Sequence, residues 1–166
     1  MSRAILRVVA GAVAGGVATV PMSAVVWGAR GAGLLGTAPP RRLTDRALQA
    51  IGVDLPEPAR RAATAVDHAV FGAVAGGAWG VIDPLVPAAV PRWLAGAGYG
   101  LAVWASAYLG WVPAVRAMPS AEDDRRDRAV SMVVAHLVYG VVLGEVARRL
   151  RAATAGADHA DGVPVR

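Results

Sequence analysis

The sequence predicts an all-α membrane protein: a four-transmembrane-helix bundle built as two repeated helix pairs, with a short amphipathic helix in the first loop. Three observations carry this reading. The 166 residues are 55% hydrophobic with mean hydropathy +0.46, and 17% are charged, where a soluble domain carries about a quarter. Most charges gather between long apolar runs, four of which approach or exceed the ~20 residues that a helix needs to cross a hydrocarbon core. One pattern of histidine and glycine also recurs in the second and fourth of these runs.

All 17 basic residues are arginine, and the sequence pI is near 10.9. The arginines stand at the edges of apolar runs, where they anchor helix ends to headgroups. Nucleic-acid binding would instead need them along one polar face with aromatics between. The expected partner is therefore the lipid bilayer and not a nucleic acid. With no cysteine in the chain, disulfides, thiolate catalysis and cysteine-ligated zinc or iron–sulfur sites are excluded.

The first span covers residues 8–29, with Arg3 and Arg7 before it and Arg30 after it. A basic start before an apolar stretch also describes a signal peptide. However, no convincing small-x-small cleavage site follows, and the run continues through Val25, Val26 and Trp27. Pro21 inside the run predicts a kink, tolerated where neighbouring helices re-satisfy the backbone. The first loop is rich in glycine, proline and arginine. Within it Leu43 to Gly52 reads as the amphipathic helix, with Thr44 as N-cap and Gly52 as stop. Its Leu43, Leu48 and Ile51 face the membrane surface.

The second span, 62–82, follows Pro56-Glu57-Pro58 and ends at the turn formers Asp83-Pro84-Leu85-Val86-Pro87. The third, 93–115, is uncharged and brings Trp93, Tyr108 and Trp111 to interfacial depths. Ser120 reads as the cap of the fourth helix, with Glu122 and Asp123 at its positive end. That helix spans 129–147 and leaves through Arg148, Arg149 and Arg151, and 152–166 reads as a disordered polar tail. Ten arginines flank the spans in the first and third loops against six on the opposite side. This places those two loops in the cytoplasm and both termini outside.

The repeat pairs Arg60, His68, Phe71, Gly72 and Gly76 with Arg128, His136, Tyr139, Gly140 and Gly144, each 68 residues further on. Residues four apart share a helix face, so each histidine is in line with its two glycines. Each glycine pair is also a G-x-x-x-G step, which lets helix backbones approach closely. A duplicated two-helix unit in parallel orientation explains the offset, and it puts His68 and His136 at one depth.

Three readings of the histidines are open. They fix packing by bonding to backbone; or, with Asp67 and Glu145, they form an intramembrane set that moves protons or binds an ion; or they are axial ligands of a b-type haem in a larger membrane complex. Glu145 also has Arg148 and Arg149 one turn away as ion-pair partners. Thr19, Ser23, Ser106 and Ser131 stand in no nucleophile context, and no P-loop or H-E-x-x-H occurs. The expectation is a non-enzymatic multi-pass protein with a packing or accessory role, as a homo-oligomer or in a larger complex, with no metal and no resident cofactor.

Several segments carry a family resemblance. Ala135-His136-Leu137-Val138-Tyr139 with Glu145-Val146-Ala147-Arg148-Arg149-Leu150 resembles the YagU-like bacterial inner-membrane proteins of unknown function. Pro39-Pro40-Arg41-Arg42-Leu43-Thr44 and Tyr108-Leu109-Gly110-Trp111-Val112-Pro113 are similar to segments of related small membrane proteins. The resemblance implies a multi-pass protein of the bacterial inner membrane and implies no reaction.

Overall fold

The computed structural model describes residues 2–35, 39–111 and 126–160. Helix α1 runs Arg3–Gly31, α2 Pro39–Ala50 and α3 Glu57–Ile82, the last followed by a 3-10 turn, Asp83–Leu85. Helix α4 runs Arg92–Ser106 and widens into a π turn, Ala107–Trp111; α5 runs Arg126–Ala160. There is no strand among the described residues.

The ends of these helices follow local chemistry. The Ser2 hydroxyl accepts the Ile5 N–H at 3.3 Å to cap α1, which then runs unbroken through Pro21. Proline in the first turn starts α3, where its fixed φ suits the helix and its missing N–H is not needed. After α2, Gly52 takes φ +67°, the left-handed stop that costs glycine little. The Val53 N–H then donates back to the Leu48 carbonyl at 3.0 Å.

Among the described residues three segments, Arg3–Gly31, Glu57–Leu85 and Arg126–Thr154, are long and apolar enough to cross a membrane. The expected third span differs. Its α-helical part holds 15 residues, roughly 22 Å at 1.5 Å per residue, before the backbone widens. Residues 112–115 and the expected Ser120 cap lie outside the described residues. The expected disordered tail is also revised, because α5 continues to Ala160. Residues 152–160 include five alanines, the best helix former, and residues 161–166 lie outside the described set.

Helix α1 packs most extensively on α3 and then on α5, and α4 packs on α5. The α1–α3 contact is backbone on backbone. A Cβ added to Gly76 would fall on the Gly11 carbonyl oxygen, and one added to Gly15 on that of Gly72. The α4–α5 contact repeats this arrangement, with Gly140 against the Gly96 oxygen and Gly144 against the Arg92 oxygen. Each glycine pair of the repeat therefore clasps the span before it. The other face of α1 presents Ala14, Ala18, Met22 and Val26, one per turn, to a core shared with Ala135, Tyr139, Leu143 and Ala147. Outside, Val20, Val66, Val74, Val81 and Val130 are all more than half exposed, a surface suited to lipid and not to water.

One end of the bundle is closed by charge. Asp83 is buried and pairs with Arg92 at 3.2 Å and with Arg151. It ties the end of α3 to the start of α4 and the far end of α5. Asp83 and Arg151 are 68 residues apart, so α3 and α5 run parallel with the repeat offset as their common level.

Gly76→Ala should lower stability by about 1–3 kcal/mol, because its new methyl meets the backbone of Gly11 and Gly15 and no flexible side chain that could move aside. Gly98→Ala meets nothing within 4 Å and should be neutral or stabilising by up to ~1 kcal/mol. Thermal unfolding in detergent compares the two.

Candidate functional site: a histidine-lined cavity

One turn beyond the glycine contacts, the facing positions become bulkier. Thr19 follows Gly15 on α1 and Trp104 follows Gly100 on α4, and both line a cavity of about 440 Å³. All five helices contribute. Met22 and Val26 come from α1, Leu43, Thr44 and Ala47 from α2, and Phe71 and Ala75 from α3. Val103, Ala107 and Tyr108 come from α4 and its π turn, and Met132 from α5. Trp104 and Tyr108 stack with centroids 5.1 Å apart and planes 18° from parallel.

The structure brings His68, His136, Asp67 and Tyr139 of the sequence prediction to this one cavity, together with Gly72. His136 Nδ1 lies 2.8 Å from the Met132 carbonyl oxygen. A carbonyl only accepts, so Nδ1 carries the proton and Nε2 is left as the acceptor of the neutral ring. Tyr139 is buried, and its hydroxyl donates to the Gly72 carbonyl at 2.7 Å, which holds α5 to α3 across the cavity wall. Tyr99, which the sequence reading did not single out, donates to the Ala75 carbonyl at 2.6 Å and does the same from α4.

The other predicted residues sit elsewhere. Glu145 lies outside the cavity lining and takes hydrogen bonds from Arg148 Nε at 3.0 Å and Arg149 Nε at 2.8 Å. Gly76, Gly140 and Gly144 are packing positions. Arg60 pairs with Asp54 and stands 3.9 Å from Asp45, while Arg128 lies in the first turn of α5. Among the described residues no group of three or more His, Asp or Glu side chains is arranged to hold a metal ion.

Helix α2 covers the cavity and is fastened there. Thr44, expected as an N-cap, is an interior residue, because the helix starts five residues earlier at Pro39. It is buried, and its hydroxyl donates to Asp67 Oδ2 at 2.8 Å. Arg41 adds an ion pair with Glu57 at 2.7 Å and one with Asp45 at 3.0 Å. Hydrogen bonding to Glu57 raises the Arg41 pKa above its ordinary value, so the fastening stays charged at any working pH. Leu43, expected on the membrane surface, turns to the cavity instead, while Ile51 is 71% exposed.

Two features escaped the sequence reading. Asp83 was read only as part of a turn, although it lies 68 residues before Arg151, the spacing that marks neighbours on α3 and α5. In the aromatic wall, Tyr108 was read as an interfacial anchor and Trp104 was given no role, although their i,i+4 spacing was the signal available.

Residues 5–157 match the family of unknown function DUF6789, and the chain belongs to that family. No curated protein and no solved structure matches the chain. The match places the protein in an uncharacterised family and does not point to the YagU-like proteins in particular.

Tyr139→Phe should cost about 0.5–1.5 kcal/mol, the net value of the hydrogen bond to Gly72. Thermal unfolding would register this as a modest drop. An unchanged midpoint would show that the hydroxyl does not hold α5 to α3.

Proposed function

We propose that this is a four-span bacterial inner-membrane protein, without catalysis of its own, that holds a small apolar molecule in the cavity beneath α2. The observation that carries the reading is the cavity. Its volume of about 440 Å³ falls within the roughly 300–1,000 Å³ of ligand pockets, and its wall is largely hydrocarbon and aromatic with a few polar groups. Such a wall recognises shape and apolar surface, while His68, His136 and Asp67 orient one polar end. The role is accessory: the bundle presents or stores a molecule for a partner, as a homo-oligomer or inside a larger membrane complex.

The fourth span is α4 with its π turn, helical from Arg92 to Trp111 and packed along α5. Arginine distribution puts the first and third loops, and with them α2 and the cavity mouth, on the cytoplasmic side. A b-type haem would use His68 and His136 together, and an ion pathway would use them with Asp67. Engagement of Glu145 by two arginines leaves that pathway one carboxylate shorter than the sequence suggests.

Reporter fusions test the topology. Four spans put both termini on the periplasmic side, so a periplasm-active reporter works at either end and a cytoplasm-active one at neither; termini on opposite sides would leave three spans. Native mass spectrometry tests the binding. Wild-type protein should retain one small-molecule adduct, and Val103→Trp, which fills the cavity from α4, should lose it. The adduct mass distinguishes a lipid-like molecule from haem. A bare wild-type mass, with no uptake of added neutral N-phenyl-1-naphthylamine, would overturn the reading.

A further inference from the structure

The charge inventory of the cavity is unusual for this chain. Of its 17 basic residues, none appears among the described residues lining the cavity, whereas a carboxylate, Asp67, does. The other acids of α2, α3 and their connections are neutralised by arginine. Asp45 and Glu57 pair with Arg41, Asp54 with Arg60, and Asp83 with Arg92 and Arg151. Asp67 differs: its hydrogen-bond partner is the neutral hydroxyl of Thr44, and no ion pair to it is found among the described residues.

Arg41 on α2 and Arg60 on α3 are engaged by those other acids. Trp104, Tyr108 and Phe71 line the same cavity as Asp67, and aromatic rings of this kind attract cations. His136 lines the same wall with its Nδ1 proton held by the Met132 carbonyl. Asp67 is exposed at the cavity rim, and a carboxylate without an arginine partner at the mouth of an apolar, aromatic-lined pocket favours a positive guest and penalises a negative one.

We infer that the cavity selects a lipophilic cation: an apolar molecule bearing one positive charge, which Asp67 receives while the aromatic wall takes the apolar body. This inference rests on the proposed binding function and adds the charge of the guest. It excludes fatty acids and other anionic amphiphiles as the resident molecule.

Equilibrium dialysis of the purified full chain in neutral detergent, with two probes of one shape and opposite charge, tests it. Tetraphenylphosphonium should bind at least about tenfold more tightly than tetraphenylborate. Asp67→Asn, which keeps an oxygen to accept from Thr44, should remove at least about tenfold of the phosphonium affinity, and Asp67→Glu should restore part of it. Borate binding as tight as phosphonium binding, or an Asp67→Asn protein with undiminished phosphonium affinity, would overturn the inference. Binding of neutral N-phenyl-1-naphthylamine in that same case, blocked by Val103→Trp, would leave the proposed binding function standing. Absence of binding by both the phosphonium and the neutral probe would remove both. Should Asp67→Asn fail to fold, the comparison of the two probes on wild type decides alone.

Discussion

The close approach of helix backbones at glycine is the constraint on which the rest of this structure depends. In lipid there is little hydrophobic drive between helices, so association rests on dispersion and on how near two backbones can come. Here the carbonyl oxygens of Gly11 and Gly96 occupy the space that side chains at Gly76 and Gly140 would need. The two contacts bring α3 onto α1 and α5 onto α4. The Ala14–Ala18 face of α1 then joins the two pairs at the alanine-rich face of α5. Where the glycines stop, Thr19 and Trp104 take over, and the cavity opens at that level. Tight clasp and open pocket are successive turns of the same helix faces.

The two ends of the bundle handle polarity in opposite ways. At one end Asp83 is buried against two arginines, an arrangement that is costly to disrupt because a lone buried charge would remain. At the other, α2 is fastened by a partly exposed ion-pair set and by the hydrogen bond from Thr44 to Asp67. Exposed pairs are worth little individually. The charged closure is therefore the firm end, and the covered cavity lies at the end held by weaker contacts.

Much of the scaffold was legible in the sequence, because it rests on periodic signals. The 68-residue offset correctly placed α3 and α5 in parallel and brought His68 and His136 to one cavity. The pairing of Glu145 with Arg148 and Arg149 followed from i,i+3 and i,i+4 spacing alone. The cavity itself was not legible, since its wall is assembled from five helices far apart in the chain. Thr44 was misread for a local reason: a threonine before an apolar residue looks like a cap, and only the position of α3 shows that it is buried against Asp67. The short α-helical length of the third span was hidden too, because composition does not mark where a helix widens into a π turn.

The placement of His68 and Gly72 on one face has a consequence for how this chain can vary. Each residue added to a helix turns everything beyond it by about 100°. A single insertion between His68 and Gly72 would leave the clasp intact and rotate the imidazole out of the cavity wall. The clasp and the pocket thus share one ruler, graduated in helical turns, and lengths that do not fit it break one or the other.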